Sequence, residues 1–116
     1  MDNKLKSALE YADYHKSLTT QRLYLKEKLD ADLTFGFNGG IFKIDHELIN
    51  FVNFLIGNDR IESVPVLDSN KNPVIIPNLK EFSDKIMDRY FSATSEYIDH
   101  VEKLKKARSI YDLEKL

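Results

Sequence analysis

From Asn3 to Asp32, and again from Asn78 to Arg108, the chain runs without a glycine or a proline. Glycine costs a helix backbone entropy, and proline removes a donor and clashes with the preceding turn. Two long stretches free of both, rich in Leu, Lys, Glu and Ala, select helix. All four glycines and all three prolines fall between them, so any strands and turns belong to the middle of the chain.

The middle reads as two hairpins around a short helix. Leu33, Phe35 and Phe37 alternate with Thr34 and Gly36, the turn Asn38-Gly39-Gly40 follows, and Ile41 to Ile44 returns. Asn-Gly supplies the positive φ angles of tight hairpin turns. Asp45 caps a helix through Ile56, which Gly57 ends. That helix carries more apolar residues than one face holds, which predicts the most buried element of the fold. A second hairpin pairs Glu62–Leu67 with Val74–Ile76. Pro65 places its strand at an edge or bulge, and Pro77 is expected to stop the other strand. Asn78, with Glu81 three residues on, starts the last helix as in a capping box.

These elements make a single α+β domain over residues 1–116, in the order α-β-β-α-β-β-α. The expected spans are helix 3–32, hairpin 33–44, helix 45–56, hairpin 62–76, helix 78–108 and a tail, 109–116. Two long antiparallel terminal helices would flank two β-hairpins that form a small antiparallel sheet, with one short buried helix. The length suits one domain. Pairing the helices end to end sets Asp30 near Lys80 and Tyr11 near Tyr97 or His100.

Periodicity locates the faces. In the last helix Leu79, Phe82, Ile86, Tyr90, Ala93, Tyr97, Val101 and Leu104 follow a stripe close to 3.6 residues, flanked by Met87, Phe91 and Ile98. In the first helix Tyr11, Tyr14, Leu18, Leu25 and Leu29 share one face. Leu5, Leu9, Ala12 and Leu23 lie on another, and two stripes imply contacts on two sides. Each terminal helix is about 45 Å long, against a diameter of roughly 35 Å for a compact domain of this size. The outer turns therefore project while still carrying Leu5, Leu9, Ala12, Ile98, Val101 and Leu104. That set is the candidate self-association surface, and a homo-oligomer, a dimer first, or a helical protein partner would cover it.

Charge narrows the partners. The formal net charge is −2 and the isoelectric point about 5.9, so no overall field draws the protein to nucleic acid or acidic lipid. Lys103, Lys105, Lys106 and Arg108 form the one basic cluster and the candidate basic patch for phosphates. Positive charge at a helix C-terminus is favourable in any case, and Glu102, Asp112 and Glu114 dilute it. A nucleic-acid accessory role is the second reading. No apolar run approaches the ~20 residues of a membrane span. Met1-Asp2-Asn3-Lys4 opens without an apolar signal segment, which predicts a cytoplasmic protein.

Chemistry finds little footing. With no cysteine, disulfides, thiolate metal sites and cysteine nucleophiles are excluded. Asp68-Ser69-Asn70-Lys71-Asn72 opens like a calcium loop, but Pro73 stands where that loop needs glycine and Leu79 where it needs a bidentate glutamate; a hairpin turn explains the same residues. Gly36-Phe37-Asn38-Gly39-Gly40 lacks the spacing of a phosphate-binding loop. End-to-end helix pairing would bring His15 near His100 beside Asp13 and Asp99, a zinc-like set, but with no apolar shell to hold ligands still, exposed surface histidines are the better account. His46 faces no nucleophile, and no serine sits in a nucleophile elbow. No catalytic residue, metal ligand or cofactor site is assigned, and an enzyme is the third reading.

Ala8-Leu9-Glu10-Tyr11-Ala12, Leu25-Lys26-Glu27-Lys28, Asn38-Gly39-Gly40-Ile41-Phe42, Leu67-Asp68-Ser69-Asn70, Asp88-Arg89-Tyr90-Phe91 and Lys103-Leu104-Lys105-Lys106-Ala107-Arg108-Ser109 span nearly the whole chain. Through them it resembles small uncharacterised proteins of tailed marine bacteriophages of the large contractile-tail type. The resemblance implies a phage accessory or structural role in the host cytoplasm and brings no catalytic residues with it.

Overall fold

The computed structural model describes residues 3–107 and 112–113. The element order is α1 (Asn3–Asp32), β1 (Thr34–Phe37), β2 (Gly40–Lys43), α2 (His46–Gly57), β3 (Glu62–Leu67), β4 (Pro73–Asn78) and α3 (Leu79–Lys106). The class is α+β with long terminal helices, as the pattern of breakers requires. Contacts divide the chain into two compact units. One comprises Met1–Leu29 with Ser95–Leu116, and the other Asp30–Thr94.

In the second unit β1 and β2 pair antiparallel, Phe35 opposite Phe42 and Phe37 opposite Gly40. Asn38 and Gly39 form the two-residue turn, with φ of 47° and 80°, the positive values a tight hairpin demands. β3 and β4 pair antiparallel with Val64 opposite Ile76 and Val66 opposite Val74. The hairpins do not merge into the single sheet expected from the sequence; each is its own two-stranded ladder. The reason lies at Ile41. Its outward N–H donates to Asp68 Oδ2 at 3.0 Å, and its carbonyl accepts from the Ser69 N–H at 2.8 Å. A loop thus occupies the edge of β2 where a neighbouring strand would pair. Gly40 is buried beneath that loop, and a β-carbon placed on it would overlap Val74 Cγ2.

Two boundaries differ from expectation. β4 continues through Pro77 to Asn78, because Pro77 lies between paired residues and needs no ladder donor. Asn78 then caps α3 with no linker, its Oδ1 accepting from Lys80 N and Glu81 N. α2 runs through Gly57 and closes on Asn58. The left-handed residue is Asp59, φ 60°. Arg60 N bonds to Leu55 O and Asp59 N to Ile56 O, a Schellman ending without glycine.

The core of this unit gathers Phe42, Ile44, Val52, Val64, Val66, Val74, Ile76, Leu79, Phe82 and Ile86. α2 contributes Val52 alone to the buried set, so the expectation that it is the most buried element fails. Leu48, Ile49, Leu55 and Ile56 are half-buried, and Phe51 and Phe54 are exposed. A short helix rests on this core through Leu48, Ile49, Leu55 and Ile56 and leaves its remaining face to solvent.

In the first unit Leu18, Leu25, Leu104, Ala107 and Leu113 form the core, with Tyr14, Tyr97 and Val101 against it. α1 and α3 run antiparallel here, tied by Tyr14 Oη donating to Ala107 O at 2.9 Å and by Lys28 Nζ on Glu96 at 2.8 Å. This register is shifted by roughly three turns from the end-to-end pairing expected. Tyr14, not a residue near the N-terminus of α1, meets the last turn of α3. Tyr11 therefore lies past that end and is 66% exposed, although it shares an azimuth with the buried leucines.

Candidate interaction surfaces

The six residues of the candidate self-association surface separate into two groups. Leu5, Leu9, Ala12 and Ile98 are exposed, Leu5 by 52% and Leu9 by 48%. Leu104 is 4% exposed and Val101 half-buried, so these two belong to the interior of the first unit. The shifted register corrects the expectation, because it brings the last turn of α3 against Leu18 and Leu25 instead of leaving it to project.

On α1 the exposed group has a length and a direction. No residue from Asn3 to Asp13 is buried or half-buried. Leu5, Leu9 and Ala12 fall at helical spacing on one side, and Leu23 returns to the azimuth of Leu5 after five turns. Leu23 is exposed too. The opposite side of α1 carries Leu18 and Leu25, so the helix is apolar on both.

Two of the four residues of the basic cluster are ion-paired. Lys103 Nζ lies 3.2 Å from Asp99, and Lys105 Nζ 3.4 Å from Glu102. Both are exposed pairs worth a few tenths of a kcal/mol at most, yet they cancel charge within a turn. Arg108 and most of the tail lie outside the described residues. The two histidines of the zinc-like set are drawn apart by the register. His15 packs on the rings of Tyr11 and Tyr14, while His100 faces Glu96 at 3.7 Å. Among the described residues no three His, Asp or Glu side chains gather as metal ligands, and no helix is long and apolar enough to cross a membrane. His46 Nε2 meets Tyr90 Oη at 2.9 Å.

Asp68 is the one buried charged side chain among the described residues. Its Oδ1 accepts from Asn70 N at 2.9 Å and Asn72 N at 2.8 Å, and its Oδ2 from Ile41 N. Three backbone donors fill the carboxylate, so it orders a loop and joins the hairpins. The Ile41 N–H is the strongest influence holding its pKa below the usual 3.8; partial burial pulls the other way, and the Asn72 and Asn70 N–H groups reinforce the lowering. A folded-state pKa below the unfolded one stabilises the fold fully above the unfolded value. That contribution disappears as pH falls through the folded value. Acid titration of the melting midpoint should therefore show the deficit of Asp68→Asn at pH 6 shrinking below pH 3.8; a deficit independent of pH would count against the assignment.

The chain matches no protein family model, no curated protein and no solved structure. Two further surfaces lie in the second unit and were missed from the sequence. An open recess of about 550 Å³ lies between α2 and β3, lined by Leu48, Phe51, Pro65 and Leu67 and by charged side chains that include Lys43, Glu47 and Lys71. The other is the outer edge of β1. The exposure of Phe51 and Leu67 gave no sequence signal, since an apolar residue carries no mark of what covers it.

Proposed function

We propose that the protein is a non-enzymatic interaction protein that associates with a second copy through the outer face of α1. The observation that carries this reading is the exposed face of Asn3–Asp13, where Leu5, Leu9 and Ala12 all lie at the surface. A helical segment with an exposed apolar side is marginal in water on its own, and contiguous exposed apolar surface commonly marks an interaction site. The face is suited to its own twin. Leu5 and Leu23 share an azimuth five turns apart, so an antiparallel copy can set each Leu5 against the other's Leu23. A twofold contact needs this kind of self-complementarity. Residues 1–33 also carry six basic and six acidic side chains, so two copies meet without net repulsion.

Sedimentation velocity between 1 and 100 µM (about that range, spanning weak dimers) tests the proposal. Leu5→Glu with Leu9→Glu should raise the dimer dissociation constant at least tenfold, an order-of-magnitude estimate from the loss of two half-exposed leucines. The melting curve of the monomer should not change, since neither side chain is buried. A wild-type protein that stays monomeric throughout would end the proposal.

The nucleic-acid reading is weaker, because Lys103 and Lys105 already face Asp99 and Glu102. The resemblance to phage proteins supports an accessory role in an infected cell.

A further inference from the structure

Every β-strand in a two-stranded ladder has one unpaired edge, and an unpaired edge is a template for another strand unless something closes it. Three of the four edges here are interrupted at outward positions, two of them by proline. On β2 the outward groups of Ile41 are taken by Asp68 and Ser69. On β4 the Ile75 carbonyl accepts from Asn38 Nδ2 at 3.2 Å. That carbonyl therefore points away from β3, and so do the positions two residues either side of it, Pro73 and Pro77, which have no N–H to offer. On β3 the residue opposite Ile75 is Pro65, again a proline at an outward position.

Among the described residues β1 has no such device. Ile41 bonds outward, so its partner Gly36 is in a pair without ladder bonds, and the Gly36 N–H and C=O point away from β2. Thr34 is oriented the same way. Both residues are exposed, and neither backbone bonds to a loop or cap.

The glycine is a second, independent observation. Gly36 is not among the residues of positive φ. A β-carbon built on it would come no closer than 3.9 Å to any atom outside its neighbours, at Gly40 O. Nothing inside the fold requires glycine there, although glycine weakens a strand. What it does leave is room for another backbone to approach.

Charge says which kind. Lys85 Nζ lies 5.4 Å from the centre of the Phe37 ring, and Arg89 Cζ 5.4 Å from that of Phe35. Both rings are half-buried on the face of β1 turned to Phe82. Neither cation has a carboxylate within 4 Å among the ion pairs of the described residues. A strand laid beside β1 places every second side chain on that face, with Cβ atoms roughly 5 Å from those of Phe35 and Phe37.

From the open edge, the unneeded glycine and the two flanking cations, we infer that β1 accepts an extended acidic peptide by strand addition along Thr34–Phe37. A second copy of β1 does not fit this role. Twofold pairing would bring two sets of Lys85 and Arg89 together, and like charges on neighbouring strands repel. The site is thus separate from the α1 face, and its test does not depend on dimerisation.

The probe is a capped octapeptide of alternating glutamate and valine. Its lysine–valine counterpart and a backbone N-methylated glutamate–valine peptide serve as controls. Fluorescence anisotropy should give binding to the acidic peptide, at least tenfold weaker binding to the basic one and none to the methylated one. Amide exchange by NMR should show Thr34 and Gly36 becoming protected on binding. Lys85→Glu with Arg89→Glu, exposed changes that leave the fold intact, should reverse the charge preference. Gly36→Pro, which removes an outward donor and no ladder bond, should abolish binding. Equal affinity for both charges, protection elsewhere than Thr34 and Gly36, or no binding of the acidic peptide at millimolar concentration would overturn the inference.

Discussion

Phe82→Ala is expected to lower the folding stability by about 3–5 kcal/mol, the usual cost of emptying a buried aromatic site. Phe82 has no solvent exposure and stands where three other rings converge. Its centroid lies 5.2 Å from that of Phe37 and 5.1 Å from that of Phe42, both edge-on, and 6.2 Å from that of Phe35. Edge-to-face pairs add about 0.5–1.5 kcal/mol beyond area burial, so the value should fall in the upper part of the range. Both strands of the first hairpin rest on this one side chain from α3. A hairpin this short is not stable alone, and the loss should reach well beyond the cavity. Chemical denaturation measures it. A loss below about 1 kcal/mol, the typical effect of any substitution, would show that the hairpin is held by other contacts.

Leu104→Ala should cost about 2–5 kcal/mol, and the comparison with Leu9→Glu gives it a second use. Both leucines stood together as candidate contact residues, at opposite ends of the chain. The structure makes one of them interior, packed with Leu18, Leu25, Ala107 and Leu113, and leaves the other half in water. Leu104→Ala should reduce stability and accelerate amide exchange through Tyr14–Lys28. Leu9→Glu should leave both unchanged and act on association. If the two variants behave alike, the register of α1 against α3 is wrong.

That register was the main thing hidden from the sequence, and the reason is physical. Helical periodicity fixes azimuth, so the stripe from Leu79 to Leu104 and the double face of α1 were both readable. It does not fix translation along the axis. Two helices of similar length invite end-to-end pairing, while the tie of Tyr14 to Ala107 depends on one hydroxyl reaching one carbonyl. The burial of α2 was unreadable for a related reason. Its apolar content is visible in Leu48 to Ile56, but the area available to cover it depends on how wide the hairpins are. Of the interaction surfaces, the outer leucines of α1 could be read from spacing. The β1 edge could not, because backbone groups have no letter in the sequence. Only Pro65, Pro73 and Pro77 hinted at it, by marking edges that are interrupted.

The unit that joins Met1–Leu29 to Ser95–Leu116 is discontinuous, with Asp30–Thr94 inserted between its halves. On a ribosome the first half is made early, and its partner emerges last, several seconds later at ordinary translation rates. Bringing distant ends together costs loop entropy, and that cost falls once the inserted segment has folded and fixed the ends near each other. Leu18 and Leu25 therefore have no Leu104 to pack against until the C-terminal segment has been made.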